Sequence, residues 1–203
     1  MLRRIVFLLV IFLGLAHPLK AQKEFKANTH MSLEPTDSEV CALSVAQMEE
    51  KYGIKMHVLE TIASVESGIW DNESGKFISW PWTINVEGKG YHFATKEEAI
   101  KRVRELQVQG IKSIDVGCMQ VSLKFHGDSF DNLEDAFSPE KNVEYSAQFL
   151  QKLYNKKGSW QKAAMAYHSK DPTHARVYKN KLLRRFNKMK FAFLDYHQDI
   201  SLF

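Results

Sequence analysis

Four glycines punctuate this sequence. Gly53, Gly68, Gly110 and Gly158 each follow a run whose apolar residues recur at helical spacing. Apolar residues at that spacing share one face of an α-helix, and a glycine past the last of them is a stop signal. The first expected helix starts at Ser38 and shows Val40, Cys41, Ser44, Val45 and Met48. The second covers 56–67, with Val58, Leu59, Ile62, Ala63 and Val65 inward. Thr95 and Glu98 form a capping box that opens a third helix over about 96–109. Ser138 and Pro139 supply an N-cap and an N1 proline for a helix displaying Val143, Ala147, Leu150 and Tyr154. A short helix follows over about 159–169, with Ala163, Ala164 and Tyr167 inward. After Pro172 a last helix carries Tyr178, Leu182 and Leu183, with Lys and Arg outside. Residues 77–93 break the pattern. They are rich in aromatic and β-branched residues, and Gly88-Lys89-Gly90 makes a turn, so they read as a β-hairpin flap. Residues 111–127 are mixed. The expected fold class is mainly α (α+β): a small helical domain with one β-hairpin flap.

The N-terminus belongs to no such domain. Arg3 and Arg4 precede an apolar run from Ile5 to Ala16, the pattern of a secretory signal peptide. Ala16 and Ala21 offer cleavage sites. The run is too short to span a bilayer comfortably, and no cysteine follows it to carry a lipid. The expected organisation is a signal peptide at 1–21, a flexible lead-in at 22–37, a catalytic domain at 38–190 and a C-terminal tail at 191–203. The expected location is periplasmic, with no stable membrane anchor. Two cysteines, Cys41 and Cys118, remain. They form one disulfide or two buried thiols; an oxidising compartment favours the disulfide.

Net charge is +4 over the whole chain. Without the leader it falls to 25 basic against 24 acidic residues, which disfavours a nucleic-acid partner. Residues 22–140 carry 12 basic and 20 acidic residues, and residues 141–203 carry 13 and 4. The basic end, with Arg184, Arg185, Lys188 and Lys190, is expected to attract an anionic wall polymer or membrane surface. The eight histidines lack paired metal-ligand spacing. No phosphate loop or nucleophile elbow is present, and neither a metal nor a cofactor is expected.

Glu66 is the candidate for chemistry. It lies one turn after Ile62 among apolar neighbours, at the C-terminal end of the second helix. Burial and the negative helix end both favour a neutral carboxylic acid, the form that a general acid requires. A surface glutamate at a helix end is the alternative. Asp71 and Glu73 follow in a polar loop, and Asp115 precedes Val116 and Gly117. They read as solvated loop charges.

Four segments in order shift the balance: Ala63-Ser64-Val65-Glu66-Ser67-Gly68, Gly117-Cys118-Met119-Gln120-Val121, Pro139-x-x-Asn142-Val143 and Ala166-Tyr167-His168. They resemble the motifs of the SLT-type lytic transglycosylases (glycoside hydrolase family 23-like), which have a lysozyme-like, goose-type fold. Trp80-Pro81-Trp82-Thr83-Ile84-Asn85 looks like the flap of a secreted single-domain subgroup, and the Gly-Cys-Met-Gln form supports pairing Cys118 with Cys41. The resemblance implies cleavage of the MurNAc-β-1,4-GlcNAc bond of peptidoglycan. Glu66 would act as acid and then as base, giving a 1,6-anhydro end. It implies that Tyr167 hydrogen-bonds Glu66, that Ser67 orients the glutamate or substrate, and that Gln120 and Met119 line the sugar cleft. His168 stands where many relatives have Asn. Trp80, Trp82 and Tyr91 have the chemistry to stack on pyranose faces. The expected partner is the glycan strand, within wall turnover or a secretion, conjugation or flagellar assembly, and the expected state is monomeric. The rivals are a hydrolytic muramidase using Asp71 or Asp115, and a non-catalytic scaffold of the same fold.

Overall fold

The computed structural model describes residues 34–72, 74–168 and 171–200, and gives the backbone alone for Pro172 and 190–200. The expected signal peptide, most of the lead-in, Glu73 and the last three residues lie outside the described residues. Eight helices follow in order: α1 Val40–Lys51, α2 Val58–Glu66, α3 Lys96–Val108, α4 Leu123–His126, α5 Leu133–Ala136, α6 Pro139–Lys157, α7 Trp160–His168 and α8 Pro172–Ile200. α8 passes the expected domain limit at residue 190 and continues to Ile200.

The helix ends are written locally. Thr95 Oγ1 accepts from the Glu98 N–H at 3.2 Å, and Glu98 reaches back to the Ala94 N–H at 3.1 Å. Ser138 Oγ accepts from Lys141 N–H at 3.5 Å, with Pro139 at the first helical position. Gly158 closes α6 at φ 68°, a conformation in which a side chain is unfavourable. Not every helix is capped by its own N-cap residue; in α2 that residue, His57, makes no side-chain cap bond. The Glu49 carboxylate on α1 serves instead. It accepts from the N–H groups of His57 (3.0 Å), Leu59 (2.7 Å) and Glu60 (3.2 Å). Burial pushes this carboxyl above its usual range while the three N–H donors pull it back. An anion at a helix N-terminus satisfies donors that the helix itself cannot.

The β part holds more than the one expected flap. Three antiparallel hairpins are described. β1 Gly68–Asp71 pairs antiparallel with β2 Lys76–Ser79. β3 Thr83–Val86, β4 Lys89–His92, β5 Ile114–Val116 and β6 Val121–Ser122 form a four-stranded antiparallel sheet in the order β4-β3-β5-β6. Pro81 stands between β2 and β3, where it lacks the N–H that a continuing ladder would need. The mixed segment at 111–127 supplies β5 and β6, which only become strands by pairing with β3 and with each other.

Two buried clusters result. The first joins α1, α2, α6, α7 and α8 through Leu59, Ile62, Val143, Leu150 and Tyr178. The second packs α3 and Phe137 against the sheet through Val103, Ile84, Ile114 and Val116. Cys41 and Cys118 are bonded, with Cα atoms 5.7 Å apart and a separation of 77 positions in the sequence. The bond ties α1 to the turn between β5 and β6.

Closing a loop of that length stabilises by about 4 kcal/mol on the chain-entropy model. Cys41→Ser/Cys118→Ser is therefore expected to unfold in urea with a stability lower by about that amount. Identical transitions for this variant and the wild type would refute the tie.

Candidate active site

α2 ends at Glu66 and the chain turns at once into β1. Gly68 permits the turn, since a Cβ there would collide with the Ser64 carbonyl oxygen. Ser67 holds the turn from below: it is 1% exposed, and its hydroxyl lies 2.6 Å from the Cys118 carbonyl oxygen and 3.2 Å from that of Ala63. A residue so enclosed does not touch a substrate. Ser67 therefore joins the end of α2, and with it Glu66, to the β5–β6 turn.

The Glu66 side chain is 13% exposed. Its Oε1 accepts a 2.6 Å hydrogen bond from the Tyr178 hydroxyl on α8. His168 Nδ1, at the end of α7, lies 3.5 Å from the same oxygen. The His168 ring stacks on Tyr178 with centroids 4.2 Å apart and planes within 7°. Burial first, and then the Glu66 carboxylate, keep the Tyr178 phenol well above its ordinary range, so it remains a donor. Three helices thus converge on one carboxylate oxygen.

The expected tyrosine was the wrong one. The Tyr167 hydroxyl is 2.9 Å from the Met119 carbonyl oxygen and 3.0 Å from Ser146 Oγ, not bonded to Glu66. Burial pushes its phenol far above the usual value, so it stays neutral within this network. From the sequence Tyr178 reads as part of an apolar stripe. A signal was present nonetheless, because a phenol on a buried stripe must find a partner for its hydroxyl.

The β5–β6 turn is the opposite anchor. Met119 is fully buried, which corrects its expected place in the cleft: its N–H donates to Asn142 Oδ1 at 2.9 Å and its side chain packs in the first core. Gln120 adopts φ 48° and its amide nitrogen lies 3.1 Å from the Thr83 carbonyl and 3.0 Å from that of Gly117. Those two bonds use both amide protons and leave the amide oxygen as the remaining polar group. Asp115, on β5, lies within electrostatic reach of Glu66 and His168. Burial above all, and the Glu66 charge, push its carboxyl up, while a bond from Ser122 and the nearby His168 pull it down. Asp71, by contrast, accepts from the Ser74 N–H at 2.9 Å across the β1–β2 turn.

The aromatic residues divide. Trp82 is 8% exposed, lies in the second core and donates from its indole to Asp37 at 2.9 Å, so it offers no face to a ligand. Trp80 and Tyr91 are half-buried at the edge of that core. The Trp80 indole donates to the Phe93 carbonyl at 2.7 Å, and Lys89 Nζ sits 5.3 Å from the Tyr91 ring centroid.

A family model described as the transglycosylase SLT domain matches residues 44–189. No curated protein and no solved structure matches the chain. The matched stretch contains Glu66, the β5–β6 turn, Asn142, Tyr167, His168 and Tyr178.

Gly117 has φ 81°, and a Cβ on it would lie 2.5 Å from Asn142 Nδ2. Gly117→Ala is expected to cost about 2–4 kcal/mol in urea unfolding, from backbone strain and displaced Asn142 hydrogen bonds. An unchanged midpoint would show that Asn142 does not hold the turn.

Proposed function

The chain belongs to the transglycosylase SLT family, and from that premise we propose that it is a peptidoglycan lytic transglycosylase with Glu66 as its acid and base. The observation that carries the reading is the Glu66 carboxylate at the end of α2, held through one oxygen by Tyr178. With Oε1 so engaged, Oε2 is the oxygen left to face a glycosidic bond.

The chemistry needs one such group. Protonated Glu66 gives its proton to the oxygen of the bond between N-acetylmuramic acid and N-acetylglucosamine as the muramyl C1–O bond breaks. The resulting carboxylate takes the proton from the muramyl 6-hydroxyl, and O6 closes on C1 to give the 1,6-anhydro ring. Glu66 ends protonated, and no water is consumed. A water-activating second carboxylate, which a hydrolytic glycosidase requires, is unnecessary. The Gln120 amide oxygen suits an acetamido N–H, and the half-buried rings of Trp80 and Tyr91 suit sugar faces. Tyr167 and Ser67 act on this site through the turn they hold. The exposed His168 edge would meet the substrate beside Glu66. The protein would act as a monomer in the periplasm after signal cleavage at Ala16 or Ala21, on wall turnover or beside a secretion, conjugation or flagellar machine.

A hydrolytic reading has one observation behind it: Asp115 feels the Glu66 charge and is raised by burial. Mass spectrometry of digested sacculi separates the two. Lytic action leaves ends lighter by one water, and Asp115→Asn retains them; hydrolysed reducing ends, lost in Asp115→Asn, would replace our reading with the hydrolytic one.

Two substitutions test the centre. Glu66→Gln is expected to lower release of anhydro ends by about 10²–10⁴-fold, the usual weight of a general acid. Tyr178→Phe removes one charge-assisted hydrogen bond, worth about 1.5–3 kcal/mol, and is expected to slow turnover by about 10- to 100-fold. Undiminished lysis by Glu66→Gln would remove Glu66 from the chemistry, and a wild-type protein without lytic activity would leave the scaffold reading in place.

A further inference from the structure

α8 carries more than the partner of Glu66. Lys181, Arg184, Arg185 and Lys188 follow Tyr178 on successive turns and line a pocket of about 300 Å³. Val65, the residue before Glu66, and Phe77 on β2 complete its wall. The Arg185 guanidinium lies 4.2 Å from the Phe77 ring centroid, and Phe77 itself meets Trp70 edge-on at 5.3 Å. Arg185 is half-buried, and burial lowers its proton affinity. Among the described residues none of these four cations is paired with a carboxylate. Drawing a guanidinium out of water costs free energy unless an anion meets it, and stacking on Phe77 offsets only part of that cost. The site is therefore shaped for an anion it does not find among the described residues.

We propose that the pocket between α2, β2 and α8 is a subsite for a free carboxylate of the peptide attached to the glycan substrate. The proposal rests on the function above, because it takes the glycan to lie at Glu66. Muramic acid carries a short peptide on its lactyl group, and that peptide bears carboxylates. Arg185 lies seven residues beyond Tyr178 on one helix, a rise of about 10 Å at 1.5 Å per residue. That is the scale of a sugar residue and its first peptide units, so a strand cleaved at Glu66 brings its peptide to these cations. A concave pocket with a guanidinium in its wall matches a discrete carboxylate, for which the planar fork of Arg is suited. A plane of lipid headgroups would meet a flat or convex surface instead.

The test measures binding rather than turnover, with Glu66→Gln protein as the parent. Soluble glycan strands with their peptides are compared with the same strands after enzymatic removal of the peptides. Adding Arg184→Gln/Arg185→Gln/Lys188→Gln is expected to weaken binding of peptide-bearing strands by about tenfold and to leave stripped strands unaffected. Lys181→Gln/Arg184→Gln/Lys188→Gln, which keeps Arg185 packed on Phe77, guards against loss of folding and is expected to act in the same direction. Equal weakening on both strands, or on neither, would overturn the proposal. So would charge-dependent binding to phosphatidylglycerol vesicles without any effect of the peptide on strand binding, which would make the patch a membrane contact. The two readings fail separately. Peptide-dependent binding by a wild-type protein that releases no anhydro ends would keep the pocket and remove the catalytic role. Anhydro ends without peptide dependence would do the reverse.

Discussion

Asn142 is the joint on which the rest of the structure depends. It is fully buried at the first turn of α6. Its amide nitrogen donates to the carbonyls of Val116 (3.0 Å) and Ala136 (2.9 Å), and its oxygen accepts from Met119 N–H. The Val116 and Met119 groups belong to a sharp turn that enters the interior, and the Ala136 carbonyl ends α5; unmet donors and acceptors there are costly. One side chain meets all three and fixes the turn against α5 and α6. Gly117 is required there because Asn142 fills the space a Cβ would occupy.

Everything around the candidate site is attached to that turn. Cys118 bonds it to α1, Ser67 bonds it to the end of α2, and Tyr167 bonds it to α7. Its neighbour Gly117 donates to the Thr83 carbonyl and so joins it to β3. The turn therefore sits between the two cores and belongs to both. Glu66 follows as a consequence, since α2 cannot move without breaking the bond from Ser67. α8 then lays Tyr178 against the carboxylate from the other side. A carboxylate held by packed helices keeps its geometry better than one on a loop, which is what proton transfer to a positioned oxygen demands.

Several residues of the four sequence segments act on the chemistry only through this frame. Met119, Ser67 and Tyr167 carry part of the family resemblance, yet all three face inward. They specify where Glu66 and Gln120 stand. Trp82 is similar: aromatic and central in the flap, it is spent on the second core and on Asp37. A motif in a sequence marks residues that a fold needs and residues that a reaction needs without separating them.

The sequence by itself determined the six longer helices and most of their ends, but not the one-turn α4 and α5 or the end of α8, because apolar spacing, the Thr95–Glu98 and Ser138–Pro139 caps and the closing glycines act over a few residues. It also singled out Glu66, whose place at the end of an apolar helix is a local property. Tertiary structure alone decided the rest. The extension of the expected flap into a four-stranded sheet depended on β5 and β6, which have no strand character until they pair. The replacement of Tyr167 by Tyr178 as the partner of Glu66 depended on a contact across 112 residues. Both phenols lie on apolar stripes at helical spacing, and periodicity says only that such a hydroxyl turns inward. Which acceptor it meets there is set by how α7 and α8 cross α2, a matter of packing between elements that no local pattern encodes.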